Sequence, residues 1–297
     1  HPQCLGTISR HLGRVIQEVI KNIPYLLLIG YDYNEGVKPV LWQNKKEDVL
    51  NLTTFDNRIP EYSFDPPTLI GDLKKILGIL SKKKRPSYNK HPKFYEVKKR
   101  IIKAVTDALD VYNEDLHPGR IIKAINQAYK DGVIVCDVGL NKYYSGLLLE
   151  ATKLNQVLFS NGLSTMSFTS GALGAKLACP KKNVVALVGD GGFLMNPQEL
   201  LTVAQNGHPV IWVIFNNGGL GLVEQAQNKK KPHNSFGVRF GKTNFSRLAE
   251  AFGIKGRRIK EGEEILPILK EFIKKGQAAV LDIPVEYTEK RKKDNLI

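Results

Sequence analysis

Cysteine is scarce in this chain. Its three, Cys4, Cys136 and Cys179, are odd in number, far apart and outside any Cys-x-x-Cys spacing. That excludes a disulfide framework and a zinc ribbon, and it points to a reducing, cytoplasmic compartment. Long apolar runs are missing too: none approaches the roughly 20 residues that a membrane-crossing helix needs, and the opening residues do not resemble a signal peptide. No membrane partner is therefore expected. Acidic residues are in deficit, 29 against 44 basic ones, for a net charge of +15. The excess gathers in Lys82-Lys83-Lys84-Arg85, Lys229-Lys230-Lys231 and Lys290-Arg291-Lys292-Lys293. These runs lack interleaved aromatics and sit in loop-like contexts, so they read as solvated surface and not as a nucleic-acid interface. The first residue is His1 and the first methionine Met166, so the chain is expected either to have been cut from a longer one or to be only part of its sequence.

What is present is an ordinary globular composition, 42% hydrophobic and 25% charged over 297 residues, enough for two domains with a sizeable core. The most informative stretch runs from Gly189 to Asn217. Asn183 to Val188 and Val210 to Phe215 are short β-branched-rich runs that read as buried strands. Between them the spacing predicts a helix, with Asn196 as cap, Pro197 in its first turn, Glu199 completing a capping box, and Asn206-Gly207 as its stop. A strand-helix-strand crossover makes the two strands parallel, so Asp190 and Asn217 fall just past strand C-termini on one sheet edge. Ligands bind at that edge in open α/β sheets. Asp190 offers a carboxylate oxygen, Asn217 an amide oxygen and Gly219 a backbone carbonyl, while Gly191 and Gly192 let bare backbone approach a phosphate. Together these are half a cage for Mg2+ bridged to a diphosphate.

Gly189-Asp190-Gly191, 24 residues, then Asn216-Asn217 resembles the signature of thiamine diphosphate enzymes, and the continuation Leu220-Gly221-Leu222-Val223-Glu224-Gln225 is similar to the acetolactate synthase branch. The resemblance implies an α/β fold of parallel-sheet, three-layer domains: part of a central Rossmann-like domain over 1–80, a linker and connecting helix over 81–112, and a thiamine diphosphate-binding domain over 113–297. Residues 1–80 fit alternating elements, with a helix over 16–20, a strand over 25–29 ending at Gly30, another over 49–52, and a helix over 69–80. In the acetolactate synthase branch this domain binds FAD through arginines shortly after the strand. Asp32 and Gly36 stand in their places here, and a carboxylate facing a flavin diphosphate repels it, which speaks against FAD.

Residues 81–93 are basic with Pro86 and Pro92 and read as a linker, followed by helices over 94–108 and 121–129, the second opened by Pro118. Val133 to Cys136 is a strand ending in Asp137-Val138-Gly139. By resemblance Asp137, Gly139 and Asn141 lie near the diphosphate; Asn141 stands where many relatives have histidine. The plainer reading of Asp137, a cap on the next turn, stays open. Gly162, Ser164 and Met166 match the segment that meets the aminopyrimidine, with Met166 as the bulky apolar prop beneath the bent cofactor, and Gly171 to Lys176 match the small-residue helix behind it. Leu220, Gly221 and Leu222 follow the metal turn, and residues 220–233 read as a mobile loop or lid. Ala226 replaces a tryptophan common in the branch. Helices over 245–252 and 264–275, a last strand over 278–283 and a frayed tail complete the chain.

The resemblance implies thiamine diphosphate- and Mg2+-dependent decarboxylation and carboligation of 2-keto acids such as pyruvate, with Asp190, Asn217 and Gly219 on the metal and Gly189, Gly191 and Gly192 at the diphosphate. It also implies a homo-oligomer or a partner bearing a pyrimidine-binding domain, because the family's catalytic glutamate comes from that domain and no residue here matches it. The chain alone is expected to be inactive. Two alternatives stand beside this reading: another decarboxylase or lyase of the superfamily acting on a 2-keto acid or acyl-CoA, and a non-catalytic binding subunit.

Overall fold

The computed structural model describes residues 25–32, 48–56, 65–82, 116–160, 167–230, 234–241 and 243–287, with single positions at 23, 96, 99, 100, 103 and 165. By contacts the chain divides into two compact units, His1–Thr106 with Lys290–Ile297, and Asp107–Glu289.

The first unit holds a three-stranded parallel sheet of β1 (Leu26–Ile29), β2 (Val49–Thr53) and β3 (Thr68–Ile70), in that order, followed by helix α1 (Leu73–Lys82). The helix expected over 69–80 begins later, because Leu69 and Ile70 pair with Leu52 and Thr53 as strand β3. Gly71 and Asp72 then make the turn, and Asp72 Oδ1 caps α1 by accepting from the Lys75 amide at 3.0 Å. The helix expected over 16–20 and Gly36 lie outside the described residues; of the linker expected over 81–93, Ser81 and Lys82 are the end of α1 and the rest lies outside them too. Of the helix expected over 94–108, the described positions 96, 99, 100 and 103 are helical.

The second unit runs α2 (Pro118–Ala128), β4 (Val133–Cys136), α3 (Leu140–Leu148), β5 (Val157–Phe159), α4 (Ser167–Ala178), β6 (Val184–Gly189), α5 (Asp190–Met195), α6 (Glu199–Asn206), β7 (Val210–Asn216), α7 (Gly221–Lys230), α8 (Phe245–Ala251), β8 (Lys255–Arg258), α9 (Ile265–Lys275) and β9 (Ala279–Pro284). Its six strands form one parallel sheet in the order β5-β4-β6-β7-β9-β8. β4, β6, β7 and β9 are buried almost throughout, as parallel strands covered on both faces must be. On one face Val135, Val184, Ala186, Trp212, Ile214 and Val280 pack against Ala172 and Leu173 of α4, Phe193 of α5, Leu200 and Val203 of α6 and Phe245 and Ala249 of α8. On the other, α3 contacts β4 and β6 while α2 packs on α3 and α9. The architecture is the three-layer α/β sandwich expected, and each large apolar side chain it buries contributes about 1.5–3 kcal/mol.

Two expectations are corrected here. The capping box at Asn196 and Glu199 does not form. The crossover after β6 is already helical in α5, so Asn196 to Gln198 make a corner between two short helices. Asn196 Oδ1 accepts from Gln198 Nε2 at 3.0 Å, the Leu200 amide bonds the Pro197 carbonyl at 3.1 Å, and Gln198 provides no side-chain cap for α6. The stop at Gly207 does form, with φ 65°. The second correction concerns residues 221–230, expected as a mobile loop, which are the helix α7. Past Gly221 this segment has no glycine or proline and is rich in Gln, Glu and Lys, all good helix formers.

Candidate functional site

The chain order sets the location. After β4 the chain moves outward to β5, then returns past β4 to β6, β7 and β9, so the direction of winding reverses between β4 and β6. A crevice opens at such a switch point, outside the strand C-termini. Asp137 and Gly139 follow β4 at this crevice, and Gly189, Asp190, Gly191 and Gly192 close β6 and begin α5. Asn141, on the first turn of α3, ties the two strands together: its Nδ2 donates to the Asp137 carbonyl at 2.9 Å and to the Leu187 carbonyl at 3.0 Å. Both amide protons are thereby used, which directs Oδ1 toward the space beside Gly139 and Gly189. Asp137 is fully buried, and its amide bonds the Leu187 carbonyl at 3.0 Å.

Asp190 is the centre of the arrangement. It is buried, and its partners are backbone amides: Oδ1 accepts from Gly191 at 2.8 Å, Oδ2 from Gly218 at 2.6 Å and from Gly219 at 2.9 Å. The carboxylate therefore reaches across from the end of β6 and folds the turn after β7 around itself. Burial pushes its pKa up, and the amides of Gly191, Gly219, Gly218 and Asn217 oppose that rise. No cationic side chain offsets the charge among the described residues. Asn217 follows β7 at once, its amide close to Gly221 and Leu140 at the start of α7 and α3. Gly218 takes φ 74°, a backbone state that suits glycine.

The segment after α7 folds back over this turn. The Leu220 amide bonds the Val238 carbonyl at 2.8 Å and the Phe240 amide bonds the Gly218 carbonyl at 2.8 Å, making a short antiparallel bridge between Gly219 and Arg239. A Cβ on Gly219 would run into the Val238 carbonyl. Arg239 Nη1 donates to the Asn217 carbonyl at 2.9 Å, and the same guanidinium pairs with Glu224 of α7 at 2.8 Å. The Leu220 side chain and the Phe240 ring lie over Gly191, where an added Cβ would meet them at 2.5 and 3.2 Å. Beyond β9, Tyr287 comes near enough to Asp190 for the negative charge to help raise its pKa, after burial, and its ring lies 6.0 Å from that of Tyr144.

The structure thus brings Asp137, Gly139, Asn141, Gly189, Asp190, Gly191, Gly192, Asn217, Gly219, Leu220, Gly221 and Leu222 to one end of the sheet. Gly162, Ser164 and Met166 lie outside the described residues. The clamp of Arg239 on Glu224 and the cover of Phe240 over Gly191 were not legible in the sequence, because both depend on residues far apart in the chain meeting across a turn. The donor set fits a hard dication with few protein ligands: one carboxylate with a remaining lone pair on Oδ1, one amide oxygen and one carbonyl, the rest left to a phosphate and water. Among the described residues no cluster of three His, Cys, Asp or Glu exists that could hold a metal by itself.

Residues 137–283 match the family model "Thiamine pyrophosphate enzyme, C-terminal TPP binding domain". Along its length the chain is similar to the probable acetolactate synthase large subunits of Methanocaldococcus jannaschii, 29% identical over 97% of this chain and 51% of that protein, and of Methanococcus aeolicus, 30% identical over 96% and 51%. It is also similar to the acetolactate synthase of Bacillus subtilis, 26% identical over 97% of this chain and 53% of that protein. The chain spans about half the length of the curated relatives it matches. The switch-point crevice, the Asp190 turn and these matches agree: residues 137–283 match a thiamine pyrophosphate enzyme C-terminal domain, and nearly the whole chain is similar to about half of an acetolactate synthase large subunit.

Proposed function

We propose that this chain supplies the diphosphate- and Mg2+-binding half of an enzyme that decarboxylates 2-keto acids such as pyruvate and joins the remaining fragment to an acceptor carbonyl. The observation that carries the reading is the buried Asp190 carboxylate, held by backbone amides alone at the C-terminal edge of a parallel sheet. A buried anion facing a ligand crevice without a cationic partner is a ligand for an incoming cation. Asp190, the Asn217 amide oxygen and the Gly219 carbonyl would hold the metal. Gly189, Gly191 and Gly192 offer backbone to the diphosphate, and Asp137, Gly139, Asn141, Leu220, Gly221 and Leu222 line its surroundings.

Thiamine diphosphate supplies the electron sink for the chemistry when bound. The task of these residues is to fix the cofactor's charged end, and Leu220 and Phe240 keep water from Gly191. Turnover is expected from an assembly that also presents a carboxylic acid to the pyrimidine ring, either a homo-oligomer or a partner with a pyrimidine-binding surface. The acetolactate synthase names of the relatives support pyruvate as substrate.

Calorimetry of the full chain with thiamine diphosphate, with and without Mg2+, tests the site. Metal-dependent binding is expected, and Asp190→Ala should weaken it more than about 100-fold. An affinity unchanged by Asp190→Ala removes the assignment. Pyruvate consumption by this polypeptide as a monomer would refute the need for a second surface.

A further inference from the structure

Asp282 lies in the middle of β9, a strand of otherwise buried apolar residues, and it is fully buried. A carboxylate there is costly unless each oxygen is occupied, and the donors that occupy it come from three separate elements. Oδ1 accepts from Asn216 Nδ2 at 2.8 Å; Oδ2 accepts from the Phe245 amide at 3.1 Å and from Arg258 Nη1 at 2.6 Å. Asn216 Nδ2 also reaches the Thr243 carbonyl at 3.2 Å. Asn216 is the last residue of β7, immediately before Asn217, and Phe245 is the first residue of α8. The described residues that fold back over Gly191 and the turn, Leu220 and the strand-like return at 238–240, lie between these two positions. One carboxylate therefore holds both ends of that stretch. The metal turn itself contributes no side chain to the bond; Asn216 and Asn217 alternate across the sheet, so Asn216 faces Asp282 and α8 while Asn217 faces α3 and Gly221.

We infer that Asp282 is a positioning residue for the cation site: it fixes Asn216, and through Asn216 the turn that presents Asn217 and Gly219 and donates two amides to Asp190. This rests on the function proposed above, but its mechanical part can be read without any ligand. Nothing in the geometry gives Asp282 contact with cofactor or metal, so its effect must pass through the turn.

The test uses the full chain with Asn216→Ala and Asp282→Asn, each followed by amide hydrogen exchange without ligand and by the Mg2+ concentration that half-saturates thiamine diphosphate binding. The Gly218 and Gly219 amides, protected by Asp190, should exchange at least about tenfold faster in both variants, while Val213 and Leu281 in the sheet stay protected. Half-saturation should rise by about the same factor. Val203→Ala, a core truncation in α6, serves as the stability-matched control and should lower the melting temperature without moving either reading. If Asp282→Asn does not fold, Asn216→Ala, which leaves Asp282 its Phe245 and Arg258 partners, decides the matter. Wild-type exchange at Gly218 and Gly219 in Asn216→Ala overturns the inference, and equal shifts in Val203→Ala reduce Asp282 to general stability. Failure of the wild-type chain to bind thiamine diphosphate with Mg2+ overturns the proposed function instead, and hydrogen exchange by itself then decides the role of Asp282.

Discussion

Asp131 and Asp190 lie at opposite edges of the six-stranded sheet, and the two edges treat a carboxylate in opposite ways. At the N-terminal edge, Asp131 precedes β4 and meets Lys182 at 2.8 Å and also Lys153, all three exposed. At the C-terminal edge, Asp190 is buried and meets only backbone amides. The lysines hold the Asp131 carboxyl down at about 2, whereas burial pushes that of Asp190 up. An exposed ion pair is satisfied where it stands and contributes little. A buried anion bound by dipoles alone still has room for a cation. Lysine side chains neutralise the carboxylate at one edge, and backbone dipoles alone hold the one at the other.

That contrast can be broken at its strongest point by Gly219→Ala. The new Cβ would strike the Val238 carbonyl, which is backbone and cannot swing away, so the turn must shift. A displacement of this size at a binding centre is worth about 100-fold; calorimetry should show that loss in thiamine diphosphate affinity, and a change under about threefold would mean the turn does not shape the site. A smaller effect is expected from Asn141→Ala, which leaves the Asp137 and Leu187 carbonyls without their shared donor. The Leu187 carbonyl keeps the Asp137 amide, so each of these bonds is worth about 0.5–1.5 kcal/mol. The melting temperature should fall and affinity drop about tenfold, and a variant with full affinity would detach the β4–β6 staple from ligand binding.

The smallest effect belongs to the other edge. Asp131→Asn should leave cofactor affinity unchanged and alter stability only in a pH-dependent way. The folded carboxyl, at about 2, lies below its ordinary 3.8. Its contribution is therefore present above the ordinary value and lost as pH falls through about 2. Melting curves of variant and wild type should differ slightly near neutral pH and converge in strong acid; a difference that persists there would assign Asp131 a role beyond its ion pairs.

Much of the second unit was legible because parallel strands buried on both faces write themselves as apolar runs: Val184 to Val188, Val210 to Phe215 and Ala279 to Ile283 all became strands. That Asp190 and Asn217 share one sheet edge followed from parallel connectivity, whereas Asn141 and Leu220 to Leu222 were placed there by the resemblance. Strand β8, reading Lys-Gly-Arg-Arg, was invisible, since an edge strand with exposed basic residues carries no hydrophobic pattern. Asn196 looked like a cap because residue type favours it, but the preceding helix α5 had already set the chain's direction. Asp282 was the missed signal that sequence could have supplied: a lone acid inside an apolar strand must find donors, and those donors had to come from neighbouring elements. Which ones they are, Asn216, Phe245 and Arg258, only the assembled sheet reveals.

The pinning of residues 216 and 245 on one carboxylate has a consequence in chain entropy. The stretch between them is a closed loop, and closing a flexible loop grows costlier only logarithmically, by about 0.6 kcal/mol for each doubling of its length. Insertions between α7 and the return at 238–240, which leave the pair of Glu224 with Arg239 and the bridge to Gly219 in place, therefore change stability little so long as the base stays fastened. The part of this loop that lies beyond the bridge between Gly219 and Arg239 can vary in length while the turn around Asp190 keeps its place.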